Sequence, residues 1–272
     1  MAVEVEVTRR PGSVGALYAR NARSVLARGL LATRSTMWPV MLSGFFEPVF
    51  YLFAMGVGLG TYIGDVTLPS GGSVSYAAYI APALLAVSAM NGAVYDSTWN
   101  VFFKMHYGKL YDAMLTTSLG PLDVAFGEIL NALLRGGAYA IGFLTVMQFM
   151  GLNLAWSAVL AVPAVLLVAF GFASLGMAVT SYLRTIQQMD WINFVMLPMF
   201  LFSATFYPVT VYPGWLQGIV KALPLYQAVE LVRGLTLGVL DPQMLNHVAY
   251  FVVMILLGLT FTTRRLRAMF LA

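Results

Sequence analysis

The 272-residue sequence contains no cysteine and few charged residues. Without cysteine, the chain has no disulfide, no thiolate metal site and no cysteine nucleophile. Charged residues form 10% of the chain and hydrophobic residues 60%, whereas about a quarter of an average soluble domain is charged. Because a folded soluble protein needs polar residues over its surface, these proportions exclude an ordinary soluble enzyme and a nucleic-acid binder built on basic patches. Most of this chain is therefore predicted to have lipid as its solvent.

The sequence also lacks the common motifs of catalysis and nucleotide binding. It has no GxxxxGK[ST] loop, no HExxH and no GxSxG. His106 and His247 lie far apart and are predicted to be interfacial side chains rather than metal ligands. Gly56 to Gly60 read GxGxG without a preceding strand, which leaves two interpretations: a close helix-packing face or a flexible exit from a helix. We predict no catalytic residue, no metal site and no cofactor in this chain.

Long apolar stretches predict an all-α integral membrane protein with six transmembrane helices, since about 20 apolar residues cross a bilayer as a helix. The predicted spans are residues 39–62, 76–103, 124–150, 156–182, 191–206 and 243–262, which together form one domain, 39–262. Residues 225–240 are too short for a seventh span and carry Glu230 and Arg233. Residues 207–242 are instead predicted to form a re-entrant pair of extracytoplasmic helices between spans five and six.

The positions of lysine and arginine predict that both ends of the chain are cytoplasmic. Six of the 15 precede residue 35 and three follow residue 263. With six spans, twelve lie on the inner side and only Lys221 and Arg233 lie outside, which the positive-inside rule favours. Residues 1–38 are predicted to be a cytoplasmic tail with an amphipathic helix on the membrane surface, although a plain extension of the first span is also compatible. Residues 263–272 are predicted to be a cytoplasmic basic tail.

Ionisable side chains inside predicted spans are candidate functional groups, because they are costly there. Glu47 is interpreted as a polar group in a substrate path, as a partner for Arg135, or as a structural polar group near a kink. Asp96 and Asn100 are predicted to form structural hydrogen bonds rather than to contact substrate. Arg135 and Glu128 lie about 10 Å apart along one helix, so each needs another partner. We expect Arg135 to extend towards the inner interface.

Aromatic and methionine side chains are abundant and suit an adaptable apolar substrate surface. They suit lipid contact and helix packing equally. The candidate substrate-path residues are Glu47, Phe46, Phe50, Met55, Met90, Tyr95, Phe194 and Phe202.

The interval between the second and third spans carries the most specific pattern. Residues 109–128 read KLYDAMLTTSLGPLDVAFGE, which resembles the signature of ABC-2 type exporter permeases, especially the branch of nodulation-factor and daunorubicin exporters. In that family a run like 111–119 is the coupling helix that docks into the ATPase subunit. Asp123, Gly127 and Glu128 match the residues that open the third span, while Ser118 stands where proline is common.

Other stretches extend the resemblance over essentially the whole chain. Glu47-Pro48, Tyr51 and the run 56–60 resemble the first span of this branch. Residues 198–206 resemble its fifth span. The residues that resemble its extracytoplasmic helices, and that are predicted to form an outer gate, are Phe206, Pro208, Pro213, Trp215, Pro224, Glu230 and Arg233.

The resemblance implies the membrane subunit of an ATP-driven exporter in a prokaryotic inner membrane. Its partners would be two ATPase subunits, which bind ATP and Mg, and a second permease, identical or related. The implied cargo is a glycolipid, a lipid-linked glycan or a hydrophobic drug. The expected coupling residues are Lys109, Leu110, Tyr111, Asp112, Met114, Leu115, Thr116, Arg20 and Arg23. Two alternatives remain: an ATP-independent carrier or channel using Glu47, Asp96 and Arg135, or a lipid-modifying membrane enzyme.

Overall fold

The computed structural model describes residues 21–33, 46, 49–68, 72–152 and 155–270, which are mostly helical. Arg20 and Glu47 therefore lie outside the described residues. The helices are α1 (Ala22–Thr33), α2 (Val49–Ile63), α3 (Tyr76–Tyr107), α4 (Leu110–Leu115), α5 (Pro121–Phe149), α6 (Trp156–Thr180), α7 (Asp190–Phe202), α8 (Gly214–Ala222), α9 (Pro224–Leu237) and α10 (Met244–Phe270).

Within the described ranges, four helices are long and apolar enough to cross a membrane: α3, α5, α6 and α10. They correspond to the predicted second, third, fourth and sixth spans. The predicted fifth span coincides with α7, which has 13 residues, and the described part of the predicted first span contains α2. The count of six spans therefore stays a prediction. Helix α10 continues to Phe270, so the predicted cytoplasmic basic tail is helical where the chain is described, and its location stays a prediction.

One small element departs from the all-α expectation. Strands β1 (Asp65–Thr67) and β2 (Ser73–Ser75) pair in antiparallel register, with Val66 opposite Val74. β-Branched Val and Thr favour extended backbone. The loop after α2 is therefore partly a β-hairpin, and Ser75 accepts a hydrogen bond from the Ala78 amide to cap α3.

Helix α3 lies at the centre of the fold and packs against α5, α6 and α9, while α10 runs along α6. Small residues permit the closest of these contacts. A Cβ placed on Gly258 of α10 would lie 2.6 Å from the Ser174 carbonyl carbon, and one on Gly171 of α6 would lie 2.7 Å from the Phe251 ring. The α6–α10 contact therefore requires glycine at both positions.

Helix α1 packs on the first half of α5. Its apolar residues Ala22 and Val25 are buried, and Val25 faces Gly127 of α5, where a Cβ would lie only 2.5 Å from the Val25 Cβ. Ala22 and Val25 of α1 thus contact protein, and the membrane-surface location predicted for this helix stays a prediction. Arg23, on the other side of the helix, is exposed.

Helix α3 widens to π-helical geometry at Asp96–Asn100 and again at Phe103–Tyr107. Ser97 and Thr98 both donate from their hydroxyls to the Val94 carbonyl, and such bonds within a helix promote bending. The Ser97 carbonyl accepts a hydrogen bond from Thr180 of α6 at 3.3 Å. A backbone group at membrane depth is thereby satisfied by a neighbouring helix. π-Helical turns are rare and are frequent at functional sites.

Candidate functional site

A cavity of about 890 Å³ opens between α1, α2, α3, α5 and α7. Its volume lies within the range of small-molecule sites, roughly 300–1,000 Å³. One part of the wall is apolar and includes Leu84, Val87, Met196 and Phe200. The remainder is lined by polar and charged side chains and includes the first π-helical segment of α3. The cavity is therefore amphipathic.

Two helices meet across this cavity through an ion pair. Arg135 of α5 lies 2.8 Å from the Asp96 carboxylate of α3, and Asn100 donates to the same oxygen at 2.6 Å. The expectation that Arg135 extends to the inner interface is wrong, because Asp96 is a nearer and desolvated partner. Asp96 and Asn100 do form the predicted hydrogen bond, and both line the cavity.

A second cluster joins three helices at the start of α5. The Glu128 carboxylate contacts Lys104 of α3 at 2.5 Å and Arg28 of α1 at 3.3 Å. The side chain of Glu128 is only 4% exposed, and a buried carboxylate needs such partners. As their spacing predicted, Glu128 and Arg135 do not pair with each other.

Asp123 fixes the starts of two helices with one carboxylate. Its Oδ2 accepts from the Gly120 amide at 2.9 Å, at the beginning of α5, and its Oδ1 accepts from the Asn21 amide at 3.0 Å, at the beginning of α1. Carboxylates are favoured at helix N-termini, where amides lack intrahelical partners. Asp123, Gly127 and Glu128 thus act together: they begin α5 and hold α1 against it.

Helix α4 divides into an exposed and a buried face. Lys109 adopts a left-handed backbone with φ 43° at its start, and Lys109, Asp112 and Thr116 are exposed. Tyr111, Met114 and Leu115 are instead buried in the core, and Leu110 is half-buried and packs against that core. Tyr111, Met114 and Leu115 therefore contact their own chain, and the predicted docking of α4 into a partner stays a prediction.

Burial keeps the Tyr111 phenol in its neutral form. Desolvation raises the pKa of the Tyr111 phenol well above its usual value, and the nearby Glu128 charge raises it further. The phenol oxygen has no hydrogen-bond partner among the described residues. Tyr111 is consequently a neutral, fixed side chain that joins α4 to the cluster around Glu128.

On the opposite side of the fold, Arg233 links three elements. Its guanidinium donates to the Tyr79 carbonyl of α3 at 3.3 Å and to the Ala204 carbonyl at 2.9 Å, and it pairs with Glu230 at 2.7 Å. It also lies 4.0 Å from the centre of the Tyr79 ring, a cation–π contact. Arg233 thereby ties α9 to α3 and to the turn after α7.

The remaining predicted gate residues begin or border the outer helices. Pro213 immediately precedes α8 and Pro224 is the first residue of α9, where proline is well tolerated. Pro208 precedes a 3₁₀ turn. The Phe206 ring packs edge-on against Phe200 at 5.2 Å, whereas Trp215 is 73% exposed.

Comparison with known proteins assigns this arrangement to a family. The sequence profile of the ABC-2 type transporter family matches residues 21–237, from α1 to the end of α9. The chain belongs to the ABC-2 type transporter family. It is 30% identical to Nodulation protein J of Rhizobium leguminosarum bv. trifolii over 262 residues, 96% of each chain. It is 25% identical to the probable doxorubicin resistance ABC transporter permease protein DrrC of Mycobacterium tuberculosis, over 88% of this chain and 87% of that one.

In this ABC-2 transporter chain, Tyr95 is the predicted substrate-path residue that lines the cavity. Phe46, Phe50, Phe194 and Phe202 are exposed elsewhere. Met55 and Met90 pack with the core. These six residues do not line this cavity, and their role in a substrate path stays a prediction.

The uncharged polar residues of the cavity that sequence reasoning missed are amides and hydroxyls. Asn91, Asn131 and Asn193 line it from α3, α5 and α7, together with Ser88 and Tyr139. A usable signal was present, because polar amides inside apolar spans are as unfavourable as other unsolvated polar groups. Examining every polar side chain in the predicted spans, rather than the ionisable ones alone, identifies this wall.

Proposed function

We propose that this chain is the permease subunit of an ATP-driven exporter that moves an amphipathic or lipid-linked substrate out across the cytoplasmic membrane. The observation that carries the proposal is the family match over residues 21–237 together with a cavity whose lining is both apolar and polar, between helices that include the candidate spans α3 and α5. The names of the relatives support the direction, since one is a doxorubicin resistance permease. A glycolipid, a lipid-linked glycan or a hydrophobic drug fits a cavity with one apolar and one polar part.

The proposed topology has six spans with both ends in the cytoplasm, in a prokaryotic inner membrane. Helices α2 and α7 complete the six, and α8 and α9 lie on the outer side as a short pair. Twelve lysines and arginines then face the cytoplasm, as the positive-inside rule favours. Helix α7 exposes much of its apolar surface, including Trp191, Phe194 and Leu197, which supports contact with a second permease or with lipid.

The proposed contact with the ATPase is the exposed face of α4: Lys109, Asp112, Ala113 and Thr116. These residues recur at the spacing of one helix face. Arg23 of α1 is exposed too and is proposed to extend the contact. Movement of α4 would reach the cavity because the buried Tyr111 packs near Glu128, whose carboxylate holds Lys104. Rigid-body motion of packed helices is the expected form of the transition.

Co-purification tests the proposal directly. The tagged chain is expressed in its own host, extracted in mild detergent, and assayed for ATP hydrolysis. We expect an ATP-hydrolysing partner at one-to-one stoichiometry. A chain that is recovered alone under conditions that preserve complexes, and that transports on a proton gradient without ATP, would instead establish the carrier alternative.

A charge reversal locates the contact. Asp112→Arg is expected to abolish co-purification or to uncouple ATP hydrolysis from export, while the chain remains inserted. The matched control is Asp65→Arg in β1, which reverses one exposed carboxylate on the side assigned to the exterior. Equal export by the two variants would remove α4 from the contact.

A further inference from the structure

The ion pairs that line the cavity expose their cations and cover their carboxylates. The side chains of Arg28, Lys104 and Arg135 are 36%, 31% and 21% exposed, respectively. Their partners Glu128 and Asp96 are only 4% and 9% exposed. All five line the cavity. A ligand in this cavity therefore meets guanidinium and ammonium groups rather than carboxylate oxygens.

The charges on the cavity wall also favour an anionic ligand. Among the described residues, three cations and two carboxylates line the cavity, so this part of its wall carries a net positive charge. A cationic ligand would have to displace Arg135 or Lys104 from a carboxylate that is already paired. Guanidinium groups in particular bind carboxylates and phosphates well, because their donors match the oxygen geometry.

Two further donors lack acceptors. Arg28 Nε and Asn131 Nδ2 are buried and have no hydrogen-bond partner among the described residues, and both residues line the cavity. A buried donor without an acceptor is unfavourable. An oxygen-rich group at this end of the cavity would supply acceptors after a small side-chain rearrangement.

We propose that the cavity binds an amphipathic molecule with an anionic head, a phosphate or a carboxylate. The head lies among Arg28, Lys104 and Arg135, and the apolar chain lies against Leu84, Met196 and Phe200. This assignment names the ligand class of the proposed permease and rests on that function for its role in transport. The binding itself requires no ATPase, so it is testable on the chain alone.

The test is saturable binding of radiolabelled dodecyl phosphate to the full chain in phosphatidylcholine nanodiscs, with empty nanodiscs as the background. Unlabelled dodecyl phosphate, dodecyl maltoside and dodecyltrimethylammonium compete; they share one alkyl chain and differ in charge. We expect dodecyl phosphate to compete about tenfold or more better than the other two, since a hydrogen bond to a charged group contributes on this order. Equal competition by the cation would overturn the proposal.

Variants localise the binding. Lys104→Gln removes one exposed cation, and the double change Asp96→Asn with Arg135→Gln removes another without leaving an unpaired charge in the membrane. Each is expected to weaken dodecyl phosphate binding about tenfold. Lys221→Gln, outside the cavity, loses the same charge and is expected to bind normally. Unchanged binding in both cavity variants would refute the site.

Two sources could supply the anionic head, and the same assay separates them. If one fifth phosphatidylglycerol in the nanodiscs suppresses binding, a membrane phospholipid is the occupant. If it does not, and the ATPase complex releases the probe when ATP is added, the occupant is a transported molecule. Binding without any recoverable ATPase complex would uphold the ligand class and reject the proposed function.

Discussion

The contact between α1 and α5 gives the sharpest quantitative prediction. A Cβ at Gly127 would lie 2.5 Å from the Val25 Cβ and 3.0 Å from the Ala22 carbonyl oxygen. Neither atom is at the end of a flexible side chain, so α1 must shift. Overpacking of this kind costs about 1–3 kcal/mol. Gly127→Ala should therefore raise the undocked fraction of α1 about 5- to 150-fold, as each 1.4 kcal/mol corresponds to about tenfold.

Limited trypsin digestion measures this fraction. Arg23 and Arg28 lie within α1, and cleavage after them requires the helix to leave α5 and unwind. When opening and closing are fast relative to cleavage, the cleavage rate follows the open population. The control is Gly136→Ala on the same helix, where the new Cβ would meet Ala169 at an ordinary 3.8 Å. Equal cleavage of the two variants would refute the packing argument.

Three other variants test separate contacts. Arg135→Gln leaves the Asp96 carboxylate without its cation and should lower the amount of inserted chain, whereas adding Asp96→Asn should restore it. Western blots of isolated membranes measure the inserted amount. Equal loss in the single and the double variant would argue against the ion pair. Arg233→Gln removes the guanidinium that donates to the Ala204 carbonyl. The variant should therefore have a lower thermal unfolding midpoint in nanodiscs, and Arg233→Lys should have an intermediate one. An unchanged midpoint would show that the contacts of Arg233 do not stabilise the fold. Met114→Ser should destabilise the chain by about 1–3 kcal/mol through loss of buried apolar area, and a lower yield after detergent extraction would show this. A full yield, with ATP hydrolysis uncoupled from export, would instead indicate that Met114 contacts the ATPase.

The helices were largely predictable because lipid sets their length and composition. Apolar runs gave α3, α5 and α6 to within four residues at each end and α10 to within eight, and the pattern around Asp123 and Glu128 indicated the family. The pairing of Arg135 with Asp96 was not predictable. It depends on how α3 and α5 are rotated about their axes, and the π-helical turn at Asp96 changes that rotation.

The two faces of α4 could also be separated from the sequence. The pattern already separates Lys109, Asp112 and Thr116 from the apolar positions between them. Apolar residues on a short amphipathic helix normally face the protein's own core, and Met114 does. The polar face was the better candidate for a partner from the sequence alone.

The double role of Asp123 has a consequence for biosynthesis. Asn21 and its carboxylate partner are 102 residues apart, so α1 leaves the ribosome long before its docking site exists. At about 5–20 residues per second, the delay is roughly 5–20 s. During that interval we expect the membrane surface to cover the apolar face of the amphipathic α1. The surface location that the sequence predicts for α1 would then precede its docking onto α5 through Asp123.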